Sequence, residues 1–148
     1  ACGKASCRTL KTPSPYSSSR NIFNATTSQS TDMTYQGKFI GEREERIAAL
    51  DHHEGANVVY TVYESGYNWQ SNPSNIVKKY SADFYNFLGE EELPKFLGID
   101  SNGNEKLFDS KGYYGFFNSS GTNYHVVLKA TEEDNTSVRW AIATLSVD

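Results

Sequence analysis

Apolar and polar positions alternate along most of this chain with the two-residue period of a β-strand. The clearest run is Asn57 to Glu64, where Val58, Tyr60 and Val62 interleave with Val59, Thr61 and Tyr63. Both sets are apolar enough to be covered, which predicts a strand buried on two faces. Upstream, Tyr35, Phe39 and Ile40 predict a strand entering through Gly37. The next segment, Gly41 to Leu50, reads two ways. Its Glu and Arg at i,i+4 spacing favour a helix, and its position between strand-like segments favours an edge strand.

One stretch breaks the two-residue period. Ile76, Tyr80, Phe84 and Leu88 recur at i, i+4, i+8 and i+12, with Val77 and Phe87 widening the stripe. Asn72 suits a cap, Pro73 the first helical position, and Gly89 the left-handed residue after a helix end. This spacing predicts an amphipathic helix over Pro73 to Leu88. After Pro94 short strands return, punctuated by Asn102-Gly103, the strongest short hairpin signal in the chain. The segments Lys95 to Ile99, Glu105 to Asp109, Gly112 to Asn118, Thr122 to Ala130 and Val138 to Val147 predict an antiparallel meander.

The expected fold class is therefore mainly β, within α+β: an antiparallel β-barrel or strongly curved sheet, with one amphipathic helix packed on it. An open α+β sheet is the second choice. A β-trefoil is the third, because Lys38-Phe39-Ile40-Gly41 is echoed by Lys95-Phe96-Leu97-Gly98, although no third copy follows.

With 148 residues there is room for one domain and one core. The division expected is a Ser/Thr-rich arm over 1–32 and a single β-rich domain over 33–148. Cys2 and Cys7 are the only cysteines, and their spacing permits a small disulfide ring in the arm. An opening on Ala1 reads as the mature end left by signal-peptide cleavage, which predicts a secreted protein. Three sequons agree with that setting: Asn24-Ala25-Thr26, Asn118-Ser119-Ser120 and Asn135-Thr136-Ser137. No apolar run is long enough to cross a bilayer. A formal charge of −4 gives the chain no footprint of a nucleic-acid binder. No metal site and no cofactor are expected, and the chain reads as a monomer.

Candidate chemistry is sparse. Asp51-His52-His53-Glu54 is the densest titratable cluster, but adjacent histidines on a strand point to opposite faces. With His125 and Arg139 on neighbouring strands, and Glu64 from another, the inventory permits a small secreted hydrolase, ribonuclease-like, working by His/Glu acid–base chemistry. There is no phosphate-binding Gly-rich loop, G-x-S-x-G elbow or H-E-x-x-H helix.

Aromatic residues, 14% of the chain, are the remaining lead. Alternation places Tyr114 with Phe116 on one face of their strand and Tyr113 with Phe117 on the other, so both faces require cover. Tyr67, Trp69, Tyr114, Phe116, Tyr124 and Trp140 form the expected binding set. The function expected is a non-enzymatic binder that uses an aromatic-lined cavity or surface to hold a small apolar ligand or a partner protein. Besides the hydrolase, the third reading is an effector or inhibitor acting by protein–protein contact through the arm and the Gly66–Ser71 loop.

Overall fold

The computed structural model describes residues 16–17, 19–40, 45–65, 72–131, 134, 136–137 and 139–147. Cys2, Cys7, Tyr67, Trp69 and Asn135 lie outside the described residues. Among the described residues, every regular element is a strand: β1 (Asn21–Phe23), β2 (Tyr35–Lys38), β3 (Glu45–His53), β4 (Val58–Ser65), β5 (Asn72–Ser81), β6 (Phe87–Glu92), β7 (Phe96–Ile99), β8 (Glu105–Phe108), β9 (Ser110–Phe117), β10 (Asn123–Ala130) and β11 (Trp140–Ser146). All pairings are antiparallel and form four open sheets, β1-β2, β3-β4-β5-β6, β7-β8 and β11-β10-β9.

The helix expected over Pro73 to Leu88 is replaced by β5, a hairpin turn and the start of β6. In the pairing, Val77 stands opposite Val62 and Tyr80 opposite Val59, so the apolar stripe divides between the two faces of a sheet. β-branched and aromatic residues at Ile76, Val77, Tyr80 and Phe87 favour the pleated surface once neighbours exist on both sides. Phe84, which the stripe needed inside, sits at the hairpin turn and is 79% exposed. Tyr85 closes that turn at φ 54°, donating its N–H to Ser81 O at 3.0 Å. Pro73, read as the first helical residue, lies near the start of β5, where a missing N–H is tolerated.

The barrel is corrected as well: the described strands close no barrel, and the chain stacks open sheets instead. With no helix among the described residues, the open α+β alternative is overturned too. The trefoil has no support: the Lys38 echo runs from the end of β2 and the Lys95 copy leads into β7, in two different sheets.

The four-stranded sheet is the middle layer. On one face Val58, Tyr60 and Val62 pack with Val77, Tyr124, Val126, Leu128 and Leu145 beneath the β9–β11 sheet, and Phe96 and Phe108 of the β7-β8 hairpin close the end. On the other face Val59, Tyr63 and Tyr80 pack with Ile22 and Phe39 under the segment that carries β1 and β2. The double-sided apolar pattern of β4 thus has a cover on each side. The cover from 19–40 holds itself by short polar contacts: Thr26 N donates to Asp32 Oδ1 at 3.0 Å and Asn24 Nδ2 to Thr34 Oγ1 at 2.8 Å. Ile22 and Phe39 supply its apolar anchor, both essentially inaccessible.

β9 lies across β3, β4 and β5 and sets how near the two sheets come. A side chain at Gly112 would strike Val62 and Leu93, and one at Gly115 would strike the Tyr124 ring. Glycine at these two inward positions lets the sheets approach, while Tyr114 and Phe116 take outward positions.

Candidate functional site

The inward and outward faces of the β9–β11 sheet differ sharply. Tyr124, Val126 and Leu128 of β10 point into the core, and His125, Val127 and Lys129 point away from it. The register places Phe116 and Thr144 on either side of His125, Tyr114 and Ile142 on either side of Val127, and Trp140 beside Lys129. Opposed residues in a sheet share a face, so these side chains form one outer surface. Tyr114 is 68% exposed, Ile142 64%, Trp140 52% and Phe116 47%.

Tyr113 joins that surface through an irregularity in the strand. The β9–β10 register shifts between Val127 and Leu128, where Tyr114 stands opposite Val127 and Gly112 opposite Leu128. The extra residue, Tyr113, has its ring 5.1 Å from that of Trp140, with Lys129 Nζ 5.7 Å from the Trp140 ring centre. Strict alternation put Tyr113 with Phe117; the bulge moves it to the side of Tyr114. Phe117 does turn inward, 5.0 Å from Tyr60 and 4.8 Å from Tyr124. His125 completes the outer face, its ring 5.4 Å from Phe116 and its Nδ1 3.0 Å from Thr144 Oγ1.

Of the expected binding set, Tyr114, Phe116 and Trp140 are thus brought together on one surface. Tyr124 is separated from them by its own strand, fully buried between the sheets. Its burial, and secondarily the charge of Asp51, pushes its phenol above the ordinary tyrosine range. Among the described residues, the Tyr124 hydroxyl and the Arg20 Nε and Nη1 are buried atoms without a hydrogen-bond partner.

The expected acid–base set is not assembled. His53 is a structural wedge: its Nδ1 accepts Ala56 N–H at 3.0 Å, and its ring fills the space beside Gly121. His52, opposite Val59, is on the other face of β3, as the alternation requires. Glu54 is exposed at the turn between β3 and β4. His125 faces away from all three. Arg139 is not opposite His125: its carbonyl accepts the Ala130 N–H at 2.8 Å, five residues further along β10, or about 17 Å at the rise of a strand.

Sequence reasoning missed a polar cleft of ≈ 390 Å³ between the edge of the middle sheet and β9, lined in part by Glu45, Tyr63, Glu64, Asp109 and Lys111. Its residues come from four separate strands and connections, so no local motif announced it. Its carboxylates are engaged within the chain. Glu45 Oε2 lies 2.7 Å from Lys78 Nζ, Asp109 Oδ1 2.8 Å from Lys95 Nζ, and Glu64 Oε1 3.9 Å from Arg46 Nε. Among the described residues no three His, Cys, Asp or Glu side chains are grouped to hold a metal ion. No helix there is long and apolar enough to cross a membrane.

Of the sequon residues, Asn24 directly follows β1 and Asn118 opens the β9–β10 turn. Asn118 Oδ1 accepts the N–H groups of Thr122 and Asn123 at 3.0 and 3.1 Å, which shapes the β9–β10 connection. No protein-family model, no curated protein and no solved structure matches this chain.

Proposed function

We propose that this chain is a secreted, non-enzymatic binding protein whose outer β9–β11 face holds an apolar group of a partner. The observation that carries this reading is the cluster Tyr113, Tyr114, Phe116, Trp140 and Ile142 on one exposed sheet surface. Isolated exposed apolar residues are ordinary, but a contiguous aromatic patch on a rigid sheet is a recognition surface. Tyr and Trp bring large contact area with few rotatable bonds, so ordering them on binding costs little. The reading moves from a cavity to a face, because Tyr124, the residue expected to line a cavity, is packed between Tyr60 and Phe117. The secreted setting rests on the sequons, of which Asn24 and Asn118 stand half-buried in connections between strands.

Chemical-shift mapping with a panel of aromatic and aliphatic fragments tests the reading on the isotope-labelled protein. Perturbed amides are expected along Tyr114–Phe116 and Trp140–Thr144. A Tyr114→Ser/Trp140→Ser variant is expected to keep its fold and lose those shifts. Perturbations centred on Glu45, Glu64 and Lys111 would move the site to the cleft and overturn this assignment.

A further inference from the structure

We propose that the open edge of β11 accepts an added strand from an acidic, extended segment of a partner protein. This inference rests on the reading of the outer face as a binding surface and specifies how the partner is held. The first support is the direction of the backbone groups. Ala130 N donates to Arg139 O at 2.8 Å and Val147 N to Thr122 O at 3.0 Å, at the two ends of an unbroken β10–β11 register. In an antiparallel pair such hydrogen-bonded positions recur every second residue. Residues 139, 141, 143, 145 and 147 therefore face β10 with their N–H and C=O groups. Trp140, Ile142, Thr144 and Ser146 direct theirs away from it, toward the open edge. These same four residues carry their side chains on the outer face, beside the aromatic cluster.

The second support is that this edge is undefended. Among the described residues β11 ends its sheet, and its sequence, Trp-Ala-Ile-Ala-Thr-Leu-Ser, contains no charge and no proline. Its register with β10 contains no bulge. The other edges of the three- and four-stranded sheets are protected. β3 carries Glu45, Arg46 and Asp51, β6 ends in Glu90, Glu91 and Glu92, and β9 is bulged. Charged side chains and bulges are the usual means by which a sheet edge avoids pairing with another chain, and β11 uses neither. A strand added at such an edge gains affinity from main-chain bonds and specificity from alternate side chains.

The third support selects the chemistry of the occupant. The strands β9, β10 and β11 contain Lys111 and Lys129 and no Asp or Glu, in a chain that carries 18 acidic residues. A second copy would lay its own uncharged β11 alongside and bring no carboxylate toward Lys129. A segment alternating acidic and aliphatic side chains instead matches both the charge and the apolar surface.

The probes are capped heptapeptides: Thr-Glu-Val-Glu-Val-Glu-Thr, its Lys-for-Glu counterpart, and the Glu peptide N-methylated at alternate residues. Against the full chain, the Glu peptide is expected to bind and to slow amide exchange at Ile142 and Thr144 about tenfold. Added salt is expected to weaken that binding. Thr144→Pro removes an edge N–H without touching the β10 ladder and is expected to weaken binding about tenfold. Thr144→Val, which keeps the N–H, is expected to bind as the parent does. If Thr144→Pro fails to fold, the N-methylated peptide against the parent protein carries the same test.

Equal binding by the N-methylated or the Lys peptide overturns the proposal, as does no binding by the Glu peptide. So does concentration-dependent protection of β11 in the protein alone, which would give the edge to a second copy. Binding lost in Tyr114→Ser but intact in Thr144→Pro would sink the added strand and keep the outer face. Binding unchanged in both would sink the face as well.

Discussion

Asp51 and Phe117 are 66 residues apart in the chain, yet the Asp51 Oδ2 accepts the Phe117 N–H at 2.8 Å. The other carboxylate oxygen takes the His52 N–H, also at 2.8 Å. One side chain of β3 thereby fixes the end of β9 against the middle sheet, at the point where Phe117 enters the core. Asp51→Ala leaves the Phe117 N–H without its partner and is expected to destabilise the fold by about 1–3 kcal/mol. Asp51→Asn retains one acceptor oxygen and is expected to lose less. Denaturant unfolding midpoints check both, and an Asp51→Ala midpoint equal to the parent's would remove Asp51 from this role.

Gly115 and Tyr124 are a second coupled pair. A Cβ at position 115 meets the Tyr124 hydroxyl and ring, so Gly115→Ala is expected to cost about 1–3 kcal/mol through overpacking. Tyr124→Phe removes a buried hydroxyl that has no hydrogen-bond partner and is expected to stabilise by about 1 kcal/mol. In the double variant the penalty of Gly115→Ala is expected to shrink, because the nearest obstructing atom is gone. Additive effects in a double-mutant cycle would contradict the packing described here.

Phe84 separates a hairpin from a helix. At the exposed β5–β6 turn, Phe84→Ser is expected to change stability by no more than about 0.5 kcal/mol. On the buried stripe of a helix the same truncation would cost about 3–5 kcal/mol. A thermal melt of this one variant decides between them.

Three tyrosines give the fold a pH dependence at the alkaline end. Burial raises the phenols of Tyr16, Tyr80 and Tyr124 above the ordinary value of 10.0. Tyr85 adds to the effect at Tyr16, Tyr63 at Tyr80 and Asp51 at Tyr124. A folded-state pKa above the unfolded one means that the native state holds these protons more tightly. Their contribution is complete below about pH 10 and is lost as pH rises beyond it. In a titration followed at 295 nm, Tyr16, Tyr80 and Tyr124 are expected to ionise only with unfolding. Ten phenols titrating together in the folded protein would contradict the burial.

Much of the sheet content was legible in the sequence, for local reasons. The two-sided alternation of Val58 to Tyr63 encodes a strand covered twice, whatever the covers are. Asn102-Gly103 encodes its turn directly: Gly103 takes φ 85°, and Asp100 Oδ1 accepts the N–H groups of Asn102 and Asn104 at 2.9 Å. The segment 73–88 misled because a spacing of four residues also satisfies a period of two. Ile76, Tyr80, Phe84 and Leu88 fit one helical stripe or one strand face equally well, and only pairing with β4 and β6 decides. Tyr113 misled for a narrower reason. Its face depends on where the β9–β10 register slips, and that slip is a property of two strands together. The outer aromatic surface was legible as composition and in Tyr114, Phe116 and Trp140, but not in Tyr113 or in the exclusion of Tyr124.

The middle layer of this molecule comes from the middle of the chain, and its two covers come from the regions on either side. During synthesis the residues of β1 and β2 leave the ribosome before the surface they cover has been made. Ile22 and Phe39 have nothing to rest on until Val59, Tyr63 and Tyr80 arrive, and Tyr60 waits longer still for Tyr124. The consecutive hairpins β3 to β6 make the most local set of contacts, so assembly proceeds outward from them. The last of the described strands to be finished, β11, also ends its sheet.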